Sequence, residues 1–219
     1  RRGLHRSEPY WRGALTDPPV YDLPFEADGT DLRSVPVAVG IDAAVTELVV
    51  QVLFYLGKLN RSATFDVLLD DPWQGAFASM VSEHQVDTLV PFRVDWDWRL
   101  PVNEWLESCE GALAELAQHS PPVSDLRLRA NAPGLGGQQR GVCFHFCAFD
   151  PSKQVAELDF WLAGAAELQV SSSQLAAPAL DKVASELGIV MPELHCGAEA
   201  TVASFCVVQP HELEQLRLW

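Results

Sequence analysis

Basic charge is scarce in this 219-residue chain: 15 Lys and Arg stand against 30 Asp and Glu, giving a formal net charge of -15 and a pI near 4.6. Binding to phosphate backbones or anionic lipid heads depends on clustered cationic side chains, so nucleic acid and membrane surface are both excluded as expected partners. Long apolar runs are missing as well. The longest one without a charge lies between Glu47 and Lys58, short of the roughly 20 residues a bilayer span needs. Cysteine is sparse: Cys109, Cys143, Cys147, Cys196 and Cys206 are an odd number, with no Cys-x-x-Cys pair, which argues against a disulfide framework and for a reducing cytoplasm. Six histidines occur singly, at His5, His84, His119, His145, His195 and His211, and no two are adjacent. The segment Arg1 to Glu8 is basic but leads into Pro9 and Tyr10 without an apolar core, unlike a secretory signal. Arg1 in place of Met suggests excision from a longer chain or removal of a tag.

What is present suits a folded domain. Hydrophobic residues make up 48% and charged residues 21% of the chain, enough to bury a sizeable core. Residues 7–15 read as a short helix capped by Ser7 with Tyr10, Trp11, Ala14 and Leu15 as its apolar stripe. Alternating Val35, Val37 and Val39 predict a strand, with Pro36 placing it near an edge or a bulge. From a cap at Asp42, the series Val45, Leu48, Val49, Val52, Leu53, Leu56 and Leu59 predicts a helix buried on most sides. Residues 64–69 and 88–94 read as central strands. Pro101 opens a second amphipathic helix with Val102, Trp105, Leu106, Cys109, Leu113 and Leu116 inward. Strands are expected over 142–149, 155–163 and 167–171, and a helix marked by Leu180, Val183, Ala184 and Leu187 is expected to stop at Gly188. After a loop over 191–200, a strand over 202–208 and a helix begun by Pro210 close the chain. The irregular mixture of strands and helices predicts an α/β fold with a mixed sheet and flanking helices.

Candidate chemistry is thin. Cys143, His145 and Cys147 alternate, so a strand would present all three on one face. Two thiolates and an imidazole, completed by His195 and Cys196, could hold a metal, but buried cysteines are also ordinary core residues; core packing is the reading adopted, with no catalytic, cofactor or metal residue assigned. A Cys-His nucleophile lacks any supporting elbow or oxyanion turn. Gly134, Gly136 and Gly137 lack the Lys-Ser/Thr of a phosphate loop. Asp66, Asp70 and Asp71 read as a solvated strand end rather than a cation site. The expected contact surface is aromatic: Trp96 and Trp98 would share a face of an extended segment, joined by Trp73 and by Leu213, Leu216 and Trp219 on the closing helix.

Many weak matches in one order resemble the C-terminal lobe of a nonribosomal peptide synthetase condensation domain. Tyr10-Trp11-Arg12-Gly13-Ala14-Leu15 followed by Tyr21-Asp22-Leu23-Pro24 is similar to the "YWxxxL … LELP" entry into that lobe. Residues 51–71 resemble its buried helix, turn and "DVVVGTP" strand; residues 86–95 are similar to "VNTLPLRVDLD"; residues 102–124 resemble the helix ending in "HQDLPFEDL". Residues 141–149 stand where "FQVVFNF" would, and residues 201–219 resemble the linker toward an adenylation domain.

The resemblance implies a single lobe similar to chloramphenicol acetyltransferase, of the CoA-dependent acyltransferase-like fold, over residues 1–200, with residues 201–219 as a linker toward a following adenylation domain. The family's His-His-x-x-x-Asp-Gly motif belongs to the other lobe and is absent from this sequence. The "GTPxxGR" and "DFGWG" features are also missing; Asp70-Asp71-Pro72-Trp73-Gln74-Gly75 replaces the first, and Asp159-Phe160-Trp161 shares only letters with the second. One helix fits between Val39 and Thr64, where the family usually has two. The expectation is therefore a truncated, non-catalytic pseudo-enzyme of secondary metabolism, a protein-interaction module for an adenylation domain in the same chain or for a carrier protein, whose phosphopantetheine would be the only cofactor nearby. The alternative is a lobe that completes a peptide-bond-forming enzyme with a partner lobe supplied elsewhere.

Overall fold

The structure is a computed structural model, and it describes residues 7–14, 21, 23, 31–60, 62–73, 88–119, 121–122, 126, 141–164, 167–196 and 200–205. Six strands form one mixed sheet: β1 (Arg33–Val37), β2 (Thr64–Asp70), β3 (Leu89–Asp95), β4 (Val142–His145), β5 (Leu158–Gly164) and β6 (Glu167–Ser172), in the order β1-β6-β5-β4-β2-β3. The centre is parallel, β2 beside β4 and β4 beside β5, while β6, β1 and β3 run antiparallel to their neighbours. Among the described residues, four helices flank it: α1 (Glu8–Ala14), α2 (Val45–Leu59), α3 (Val102–Gln118) and α4 (Ala177–His195). This is the expected mixed-sheet α/β lobe. No helix among the described residues is long and apolar enough to cross a membrane.

Helix α2 is the hub. Every residue from Leu48 to Gly57 is buried, because α2 packs on α3 along one side and on α4 along another. Full burial of one such Leu, Val or Phe side chain stabilises by roughly 1.5–3 kcal/mol. Gly57 is required by closeness: a Cβ there would fall within the Trp96 ring. Asp42 does not cap α2; the N-cap is Ala44, without a side-chain bond.

Helix α4 packs on β1 and β6 and runs through the predicted stop. Gly188 does not end it, because the residue lies where the helix crosses β1: a Cβ there would sit 3.1 Å from the Ala38 carbonyl oxygen. The buried stripe continues through Val190, Met191 and Leu194, so the expected loop over 191–195 is helical, with Pro192 inside the helix. Two further expectations are corrected. Residues 89–95 form an edge strand, not a central one, and Pro91, with no N–H to donate, sits in it. Residues 202–204 form a turn, not the start of a strand, after an isolated bridge between Pro101 and Thr201. Gly134, Gly136 and Gly137, the expected strand remainder at 206–208 and the expected helix from Pro210 lie outside the described residues.

Candidate functional site

The parallel centre of the sheet sets the geometry of the most polar spot in the core. Register pairs Leu68, Cys143 and Asp159 across β2, β4 and β5, and two residues on it pairs Asp70, His145 and Trp161. Residues two apart on a strand share a face, so Asp70, Cys143, His145, Asp159 and Trp161 all project from the same one. His145 Nδ1 lies 2.9 Å from Asp70 Oδ2, and Nε2 lies 2.8 Å from Asp159 Oδ1. A neutral imidazole donates from one nitrogen only; two carboxylates, one at each, require the doubly protonated ring. The Trp161 indole stacks on it at 3.9 Å with 9° between planes and donates from Nε1 to Ser171 Oγ at 2.7 Å.

The side chains of His145 and Asp159 are 0% exposed, that of Asp70 23%. Burial alone would pull His145 down, but its hydrogen bonds and attraction to Asp159 and Asp70 hold its pKa above the ordinary value. Burial pushes Asp159 up, opposed by His145 and by the Val155 and Ala156 amides, each donating at 3.3 Å. Cys143 is pushed well up by burial and then by the nearby Asp159 and Asp70 charges, so it holds a thiol, not a nucleophilic thiolate. Neither ring nitrogen of His145 is available to a substrate.

The sequence-level metal set is rearranged rather than assembled. Cys143 and His145 stay together, but β4 ends at His145 and the alternation ends with it, leaving Cys147 half-buried beyond the strand. Asp159 takes its place, with one donor atom from each of Cys143, His145 and Asp159 all within 4.8 Å of one another. His195 and Cys196 lie elsewhere, at the end of α4, where His195 Nδ1 meets Glu47 Oε1 at 2.7 Å. The acidic run is also divided. Asp66 takes Arg93 at 3.0 and 3.2 Å, Asp70 serves His145, and Asp71 turns the chain with φ 51°.

The aromatic surface resolves into core and one exposed ring. Trp96 is buried against Trp105 at 4.8 Å and Phe54 at 5.3 Å, because α2 offers Gly57 as a seat for it. Trp73 is buried too, donating from Nε1 to the His119 carbonyl at 2.9 Å and packing edge-on to Trp11. Both rings sit in the core. Trp98 is 37% exposed, edge-on to Trp96 at 5.4 Å, with Lys58 Nζ 5.2 Å from its ring centre. Lys58 Nζ also donates to the Val202 carbonyl at 2.9 Å. Backbone bonds from Val202 to Leu100 and from Ala203 to Trp98 fasten the start of the expected linker beside this ring, and Val202 and Phe205 enter the core. Leu213, Leu216 and Trp219 lie outside the described residues.

No family model matches the chain, and no curated relative matches it. Solved structures do. The first condensation domain of the calcium-dependent antibiotic synthetase, in complex with a substrate analogue, is similar with a TM-score of 0.69 and 16% identity over 95% of this chain and 55% of that one. A four-domain nonribosomal peptide synthetase bound to AMP and glycine matches with a TM-score of 0.68 and 11% identity over 94% of this chain and 20% of that one. The X-domain in its complex with OxyB from teicoplanin biosynthesis matches with a TM-score of 0.65 and 15% identity over 94% of this chain and 56% of that one. The fold is the condensation-domain fold, and the chain spans about 55% of the length of the first of these neighbours.

Proposed function

We propose that this condensation-fold lobe is a non-catalytic structural and docking module of a nonribosomal peptide synthetase or related adenylating enzyme, with an adenylation domain in the same polypeptide or a phosphopantetheine-bearing carrier protein as partner. The observation that carries the reading is the state of its histidines. Moving a proton between carrier-bound acyl groups needs an imidazole nitrogen within reach of the reacting atoms. The sequence has no adjacent histidine pair, and His145, buried in the core, has both ring nitrogens bonded to carboxylates. Docking is supported by the company of the fold, since one neighbour is a domain of a four-domain synthetase and another was captured in a complex with OxyB. The free thiols of Cys109, Cys143, Cys147 and Cys196 suit a reducing cytoplasm.

The test is capture of a purified adenylation domain and, separately, of a phosphopantetheine-loaded carrier protein by the immobilised chain. Saturable binding of either supports the module. Binding of neither, with dipeptide formed once a second lobe bearing the histidine motif is added, favours the alternative of a lobe completed by a partner.

A further inference from the structure

The register that aligns Asp70, Cys143, His145 and Asp159 gathers three kinds of metal-binding atom in one closed place. Cys143 Sγ, a ring nitrogen of His145 and a carboxylate oxygen of Asp159 lie within 4.8 Å of one another, and all three residues are buried. Zinc bonds of about 2.0–2.3 Å set tetrahedral ligand atoms roughly 3.3–3.7 Å apart. The three donors, within 4.8 Å of one another and with Nε2 and Oδ1 at 2.8 Å, bracket that spacing. Sulfur, nitrogen and oxygen together suit zinc or cobalt(II), whereas calcium and magnesium take oxygen alone.

The surroundings are built for the same end. With Nε2 turned to a metal, Nδ1–H still donates to Asp70 at 2.9 Å, and a carboxylate on the far nitrogen is the common support of a ligating histidine. Trp161 fixes the plane of the ring by stacking. The Val155 and Ala156 amides hold the Asp159 carboxylate, one at each oxygen.

We propose that Cys143, His145 and Asp159 bind one divalent cation of the zinc class, with Asp70 as the hydrogen-bond partner that orients His145. Binding forms the Sγ–metal, Nε2–metal and Oδ1–metal bonds. It sends the Cys143 thiol proton and the Nε2 proton to solvent, with no change of oxidation state. Two protons leave as one doubly charged ion enters, so the net charge of the group is unchanged and no new charge is buried. The site stands independently of the docking role.

The test is cobalt(II) titration of the whole chain after chelator treatment. The expected result is a near-ultraviolet thiolate-to-cobalt absorption that saturates at about one equivalent and is abolished by zinc. Cys196→Ser keeps the band, Cys143→Ser loses it with the circular dichroism unchanged, and Asp70→Asn keeps it with affinity lowered about 10–100-fold. Absence of the band from the wild-type chain overturns the site, as does a band that survives Cys143→Ser or disappears in Cys196→Ser. Should Cys143→Ser fail to fold, X-ray absorption of the zinc-loaded wild-type chain decides: one sulfur at about 2.3 Å with nitrogen and oxygen at about 2.0 Å supports the site. A shell without sulfur, or with two or more, contradicts it.

Discussion

Asp159 and Asp70 hold the same imidazolium at nearly the same distance, yet removing their charges is expected to cost very different amounts. Asp159 and His145 are both fully buried, while Asp70 keeps 23% of its side chain in solvent. Asp159→Asn keeps the shape and one of the two acceptor oxygens that the Val155 and Ala156 amides use but leaves a buried imidazolium without its buried counter-charge. Breaking such a pair costs about 3–5 kcal/mol. Asp70→Asn removes a charge that water already screens, and the loss is about 1–2 kcal/mol. Guanidinium denaturation at neutral pH, with chelator present in every sample, measures both. With a slope of about 4 kcal/mol per molar, the Asp159→Asn midpoint falls by roughly 1 M and the Asp70→Asn midpoint by less than half of that. Equal shifts, or a larger one for Asp70→Asn, would refute the assignment of Asp159 as the buried counter-ion.

Four other outcomes are expected. His145 has its folded pKa raised above the ordinary 6.5, so its stabilisation is complete below about pH 6.5 and is lost as pH rises through the raised value; a chelated sample loses stability upward from there, and His145→Gln flattens that loss. Gly57→Ala drives a methyl into the Trp96 ring and costs about 1–3 kcal/mol, with a change in tryptophan fluorescence that an unaltered spectrum would contradict. Tyr55 donates to the buried Glu186 carboxylate at 2.6 Å, and Tyr55→Phe lowers stability by about 1.5–3 kcal/mol in thermal or denaturant unfolding. Trp98→Ala, at the exposed ring under Lys58, changes stability by about 1 kcal/mol or less but weakens capture of the adenylation domain or carrier about tenfold or more; unchanged capture removes this face from the docking role.

Much of the fold is written locally. Valine alternation with Pro36 marks β1 as a strand near an edge or a bulge, and it lies at the edge; the unbroken apolar periodicity of Val45 to Leu59 marks a helix buried on most sides. The misreadings arise where tertiary closeness overrides a local rule. Gly188 has the look of a helix stop, but what it answers is the approach of α4 to Ala38. Residues 89–95 are apolar enough for a central strand, and only the sheet order puts them at its edge. The buried cluster is half legible. Alternation pairs Cys143 with His145, but Asp159 joins them through the parallel register of β4 and β5, which strand periodicity does not encode. A signal was there: Asp159 interrupts an apolar strand, and a charge at such a position is costly unless a partner meets it. Trp96 and Trp98, two residues apart, look alike in sequence; Gly57 opposite the first decides which is core.

The central claim is that this lobe supports a synthetase without performing condensation. The most direct measurement mixes the purified chain with donor and acceptor carrier proteins loaded with aminoacyl thioesters, beside a two-lobe condensation domain as positive control, and follows dipeptidyl-carrier by mass spectrometry. The account predicts product in the control and none above the uncatalysed background with this chain. Turnover by the chain alone would contradict it.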